Sequence, residues 1–267
     1  MEFLEVLFVS IGGTATVLLV VGLLSKYLLT QLLAKDLEIY KAKLSHENNI
    51  TLEAIKAEIQ RNAKNVDRLV EFEQVMRRYK GPLLHSVYDL QSRIFNIIVQ
   101  GLIEVYLING NKQEQDYVVN NTVFVIAQYF AWAEIIRREI QFIDFSGSEN
   151  TKKLSELQDN FHSLWQTDRF HDTFRVWAGE QRAIGELMIE EHNNRLVCIG
   201  YAEFLKRMKN NQNHLFSKLQ SDVFDLSKNS SASYPRLREI QHTLIDILAF
   251  LDPDYLRFPE ERRKYIP

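Results

Sequence analysis

The sequence predicts an all-α protein with an N-terminal transmembrane helix, a long coiled-coil-like stalk helix and a C-terminal helical bundle. Three observations carry this. An uncharged apolar run opens the chain, apolar residues recur at steps of three and four over most of the remainder, and only 10 Gly and 5 Pro interrupt 267 residues. The divisions that follow are 1–25 for the anchor, 26–80 for the stalk and 81–267 for the bundle with an irregular tail.

At 46% apolar and 25% charged residues the chain can bury a core, so disorder is excluded. Its length suits one sizeable core or two small ones. The single cysteine, Cys198, excludes an internal disulfide framework and a cysteine-only zinc site. A net charge of -3 gives no electrostatic reason to expect nucleic acid as a partner.

Val6 to Leu24 is a run of 19 residues without a charge. As a helix it covers about 28 Å, close to the ~30 Å hydrocarbon layer of a bilayer. Buried core helices rarely stay uncharged for so long. A cleaved signal peptide fits less well, because the start is acidic at Glu2 and Glu5 and no small-residue cleavage site follows Leu24. Lys26, Lys35, Lys41 and Lys43 follow the run and no Lys or Arg precedes it. The positive-inside rule then predicts a single-pass protein with its N-terminus outside and the C-terminal domain cytoplasmic. The lone cysteine agrees with a reducing compartment. Sequons at Asn49, Asn120 and Asn229 carry no meaning on that side. Gly12, Gly13 and Thr16 provide small residues for close packing between spans.

The stalk has no Gly or Pro before Gly81-Pro82. Leu33, Leu37, Tyr40, Leu44, Leu52, Ile55, Ile59, Val66, Leu69 and Met76 form a seam, with Asn48 and Asn62 in seam positions. The passage from Leu44 through Asn48 to Leu52 is a stutter. Leu37, Leu44, Asn48, Ile55, Ile59 and Asn62 are therefore the expected self-association residues. An amphipathic helix folded back on its own bundle is the alternative. With 11 Lys/Arg against 8 Asp/Glu in residues 26–80, specific acidic-lipid recognition is not indicated.

Gly81-Pro82 should break or kink the stalk. A helix then runs from Pro82 toward Asn109-Gly110-Asn111, and a second covers Gln115 to Phe145 with Val118, Val125, Tyr129, Trp132, Ile136, Ile140 and Ile143 inward. Ser146-Gly147-Ser148 reads as a loop. Lys152 to Trp165 and Phe170 to Glu191 read as the next two helices, with His192-Asn193-Asn194 a turn. Leu196 to Tyr201 either starts a helix or forms one short strand. Ala202 to Lys228 reads as helix, Asn229 to Pro235 as loop, Arg236 to Leu251 as the last helix, and the tail to Pro267 as irregular.

Two segments carry a resemblance. Tyr79-Lys80-Gly81-Pro82-Leu83-Leu84, continuing at Asp89-Leu90-Gln91-Ser92-Arg93, resembles a stretch of uncharacterised single-pass membrane-anchored helical proteins, and Gly179 through Met188 does so too. The resemblance implies an anchored helical protein and no particular activity.

Candidate interaction residues are polar clusters at helical spacing. His85, Asp89 and Arg93 share a face with Asn96 and Gln100, and that face also reads as a solvated one. Glu134 and Arg138 suit either a surface pair or a buried link to the first bundle helix. Glu180, Arg182 and Glu186 cluster with Gln181 beside Trp177. Glu239 with His242, Asp159 with His162 and Asp168 with His171 have the i,i+3 spacing of carboxylate-bundle metal ligands, but no further Glu pair accompanies them. No metal and no cofactor are expected. Phosphate-loop, dinucleotide, zincin and nucleophile-elbow motifs are absent. The function expected is a membrane-tethered, self-associating interaction protein whose partners are the lipid bilayer, copies of itself and an unidentified protein. The alternatives are a tethered enzyme, with Glu180, Arg182, Glu186 and His192 as first residues to inspect, and a membrane-perturbing effector.

Overall fold

The computed structural model describes residues 2–140, 149–193, 195–210 and 213–267, and the side chains of 2–18, 72, 76, 140, 149–151 and 210 lie outside that description. Helices α1 (Glu2–Ile98), α2 (Lys112–Ile140), α3 (Glu149–Gln166), α4 (Ala178–Leu187), α5 (Tyr201–Asn210) and α6 (His214–Leu251) make up most of it. The all-α class therefore stands, with one addition. A hairpin of β1 (Ile189–His192) and β2 (Arg195–Cys198) pairs antiparallel, Ile189 opposite Cys198 and His192 opposite Arg195. The chain divides into two units, Met1–Asn65 and Val66–Pro267.

The first unit is helix throughout its described residues, and every side chain from 19 to 65 is exposed. Residues 23–65 contain no Gly and no Pro and are rich in Leu, Ala, Lys and Glu, which favour helix. Among the described residues no helix is long and apolar enough to cross a membrane. Val6–Leu24 falls largely on residues 1–18, whose side chains lie outside the description, as do Gly12, Gly13 and Thr16.

The second unit holds the core. Helix α2 is buried on nearly every face, from Val118 and Val119 through Val123–Ala127 to Ile135 and Ile136. A helix that is apolar all round belongs inside a protein. Its start is fixed by a reciprocal capping box, in which Asn111 N donates to Glu114 Oε2 at 2.7 Å and Glu114 N donates to Asn111 Oδ1 at 3.1 Å. Around it lie the end of α1 (Leu83, Val87, Leu90, Ile94), α3 and α6. Tyr129, Phe130, Phe161 and Trp165 form an aromatic centre, with Tyr129–Phe161 centroids at 4.1 Å and Phe130–Trp165 at 5.3 Å.

Several sequence expectations are corrected. Helix α1 passes through Gly81 and Pro82 without a break and ends at Ile98. The amide that Pro82 lacks would have bonded the carbonyl of exposed Arg78, and burial of Leu83, Leu84, Val87 and Leu90 outweighs that loss. Gly101, at φ +67°, then turns the chain, and Ile103–Ile108 is a π-helical turn rather than a continued helix.

Residues 167–177, expected as helix from Phe170, are irregular. The Arg236 guanidinium, fully buried on α6, donates to the carbonyls of Leu164 (2.5 Å), Trp165 (3.2 Å), Thr167 (2.9 Å) and His171 (3.0 Å). The carbonyls of Leu164, Thr167 and His171 are thereby engaged by a cation, and Trp165 O also accepts from the amide of Val176 at 2.8 Å, eleven residues on instead of one turn on. Phe174 sits at φ +60° with its ring buried, which a helix interior does not allow. Helix α4 is accordingly shorter than predicted, and residues 189–192 form strand.

Asn229–Pro235 is not a loop. Helix α6 runs through it, with only Asn229 leaving helical geometry (φ −132°, ψ 44°), a kink that relieves Pro235. The last helix ends at Leu251 as the spacing predicts. The tail is irregular apart from a 3₁₀ turn at Glu260–Arg262, yet it is anchored. Asp252 accepts from the amides of Leu256 (3.0 Å), Arg257 (3.1 Å) and Phe258 (3.3 Å), pairs with buried Arg263, and Phe258 stacks on Tyr88 at 3.9 Å. Ile140 keeps its helical backbone but its side chain, like all of Ile143 and residues 146–148, lies outside the description.

Candidate functional site

The sequence-selected polar residues do not form one site. His85 is exposed, with its ring edge-on to Phe258 at 5.2 Å, and Asp89 is exposed one turn along. Asp89 and Arg93 form no ion pair among the described residues. Arg93 instead bonds Asn121 of α2 and lies 5.7 Å over the Tyr117 ring. Although Asp89 reaches the surface, neighbouring protein desolvates its carboxyl enough to raise it above its ordinary range against the pull of His85 and Arg93.

Glu134 is buried, as one of the two readings required, but its link is not to α1. It accepts from Arg137 Nε and Nη2 and from Arg138 Nε, each at 2.7 Å, and Arg138 Nη2 donates to Glu186 of α4 at 2.7 Å. Burial pushes this carboxyl up, and the two guanidiniums outweigh burial to hold it below the usual range. Glu180 caps α4 by accepting from Trp177 N at 2.9 Å. His192 is exposed on the hairpin, 3.4 Å from Glu190. Three of the four residues of the enzyme alternative, Glu180, Glu186 and His192, thus serve separate local roles. Cys198 is a half-buried thiol that burial pushes up to about 12, in spite of nearby Arg207, which favours its protonated form.

One of those four, Arg182, does line a cleft of about 390 Å³ between α2, α3 and α4. Phe130, Ala133 and Glu134 come from α2, Gln158, Asp159, His162 and Gln166 from α3, and Gln181 and Arg182 from α4. Gly185 allows α4 to approach this closely, since a Cβ there would stand 2.7 Å from the Phe130 carbonyl oxygen.

The geometry assigns the His162 tautomer. The Gln181 side chain is buried, and its amide nitrogen donates to the carbonyls of His162 (3.0 Å) and Val176 (2.9 Å). Its oxygen must then face His162 Nδ1, 2.5 Å away, and accept from it. The proton is therefore on Nδ1 and Nε2 keeps its lone pair. Burial holds this imidazole below the usual histidine range, Arg182 adds to the effect, and the Gln181 bond and Asp159 oppose it. Phe130 lies nearly parallel to the ring at 6.2 Å and Phe161 edge-on at 5.7 Å. Gln158 has a side-chain amide donor without a partner. Gln158 and Gln166 are the residues that site selection from sequence missed, and His162 was weighed there only as a metal ligand beside Asp159. Their spacing of four on α3 was the available signal.

Among the described residues no three His, Cys, Asp or Glu converge to hold a metal. The three histidines with i,i+3 carboxylates bond elsewhere. His171 meets Thr173 Oγ1 at 2.9 Å, His242 meets the Ile266 carbonyl at 2.7 Å, and His162 meets Gln181.

The second feature lies in the first unit. Leu37, Leu44, Asn48, Ile55, Ile59 and Asn62 are all exposed, as are Leu33, Tyr40 and Leu52 between them. They lie along one helix of that unit, and among the described residues of the unit no other element packs on them. No protein-family model, no curated protein and no solved structure matches the chain.

Proposed function

We propose that the protein is a membrane-tethered, self-associating interaction protein. Residues 1–25 act as the tether, the following part of α1 pairs with copies of itself, and the C-terminal bundle is a cytoplasmic binding domain for another protein. The observation that carries this reading is the exposed stripe from Leu33 to Ile59 on a helix with no partner in its own unit. A lone helix gains little stability in water, and a narrow apolar seam is satisfied by a second helix. Asn48 and Asn62 fix the register of the pairing. The 19 uncharged residues of Val6–Leu24, flanked by lysines on one side, support the tether and its orientation. Exposed Val99, Val105, Tyr106, Ile108 and Tyr117, around the turn between α1 and α2, support a protein partner for the bundle. Tethering and pairing together raise effective concentration toward that partner.

Two measurements test the reading. The intact chain should sediment with membranes and require detergent for release, and recovery in the soluble fraction overturns the tether. Light scattering of the detergent-solubilised chain, and of a fragment beginning at Lys26, should give a dimer or higher oligomer. A monomer at high concentration overturns self-association.

A further inference from the structure

We propose that the cleft between α2, α3 and α4 is a binding site for a small phosphomonoester, with the phosphate taking the polar wall and the organic part lying against Phe130 and Ala178. This stands independently of the tether and of self-association.

Three residues of the cleft keep an N–H donor to spare. Arg182 is exposed and has no ion-pair partner among the described residues. Arg137 binds Glu134 through Nε and Nη2, which leaves Nη1 free. The Gln158 amide carries an orphan N–H. Guanidinium groups beside an amide donor suit the several acceptor oxygens of a phosphate. One acceptor stands among them. Because Gln181 holds a proton on Nδ1, Nε2 of the neutral imidazole is an acceptor. A ligand that brings a proton on its anionic group satisfies it. A phosphate that keeps one hydroxyl does so, whereas sulfate and carboxylate are fully ionised near neutral pH.

Two carboxylates also face the space. Glu134 is neutralised by Arg137 and Arg138, so it opposes an anion little. Asp159 is exposed and has no such partner among the described residues, so its charge weakens binding. The volume, about 390 Å³, lies in the range of small-molecule sites and exceeds what a bare phosphate fills. The faces of Phe130, Ala133 and Ala178 supply an apolar wall for the remainder.

The test is calorimetric titration of the full chain in detergent with glycerol 3-phosphate, inorganic phosphate and sulfate. It is run at pH 6, where about half of a phosphomonoester keeps its second proton. The ester should bind more tightly than inorganic phosphate, and inorganic phosphate at least about tenfold more tightly than sulfate. Arg182→Gln, an exposed change that leaves the helical circular dichroism intact, should weaken the ester about tenfold or more. Asp159→Asn should tighten it by about two- to threefold. With histidine nitrogens labelled, His162 Nε2 should shift on binding, its signal assigned by its loss in His162→Gln. Absence of binding by both phosphate compounds overturns the site. Sulfate equal to phosphate overturns the role of His162, and with it the proposal. Inorganic phosphate as tight as the ester overturns the phosphomonoester and identifies free phosphate as the occupant. An unchanged Arg182→Gln variant overturns the polar wall.

Discussion

Residues 19–65 of α1 and the whole of α2 are both long helices with apolar residues at helical spacing, and their surroundings are opposite. The α1 stretch is apolar on several faces as far as Leu33 and carries a narrower stripe from Leu37 to Ile59, and every residue is exposed. Helix α2 carries valines, isoleucines and aromatics on several faces and is buried from Val118 to Ile136 with few exceptions. The width of the apolar sector separates the two cases. A stripe one residue wide asks for a single partner helix, whereas an apolar circumference asks for a core.

The largest expected effects sharpen that contrast. Phe161→Ala removes a fully buried ring from the aromatic centre and should destabilise the bundle by about 3–5 kcal/mol in a urea titration. Ile55→Ala, on the stripe, should change the bundle's stability by less than about 0.5 kcal/mol while weakening self-association seen by sedimentation. Equal losses of stability in the two variants would break the comparison.

Arg236→Ala comes next. It removes the side-chain donor from the carbonyls of Leu164, Thr167 and His171, while Trp165 keeps the Val176 amide, and should cost about 3 kcal/mol, with faster proteolysis within residues 167–177. Intact protection of that segment would show that Arg236 does not hold it. Glycines of α4 give a smaller and signed effect. Gly185→Ala drives a methyl against the α2 backbone and should lose about 1–3 kcal/mol. Gly179→Ala meets nothing within 4 Å and should gain up to about 1 kcal/mol. Thermal melts of the pair test whether α4 is pressed onto α2 along one face only.

The smallest effect is a pH slope. Burial keeps the His162 imidazole neutral in the fold, while the unfolded chain takes up a proton below about pH 6.5. The unfolded state then holds more protons, so stability falls as pH drops below about 6.5 and recovers as it rises. The slope from one group does not exceed about 1.4 kcal/mol per pH unit. His162→Gln should flatten it. An unchanged slope would place the titrating group elsewhere.

Much of the fold was legible in the sequence. The periodicity gave the all-α class, α3 within three residues of its start and one of its end, and the stop of α6 at Leu251. It misread Gly81-Pro82 and Asn229–Pro235, where local helix breakers yield to the burial of their neighbours. It misread residues 167–177 because the deciding donor, Arg236, is some 70 positions away in sequence. The cleft was legible only in fragments. Arg182 was selected with Glu180 and Glu186 as one cluster, yet on the helix these three face a cleft, a cap and an ion pair respectively. His162 was weighed only as a metal ligand and Gln158 was not selected, because their meaning depends on α2 and α4 beside them.

By itself the sequence determined the all-α class and how wide each apolar face is, because both follow from the repeat of a single helix. The tertiary structure decided where helices give way to irregular chain and which polar residues meet. Those outcomes depend on donors and acceptors supplied from distant positions, and no local spacing records them.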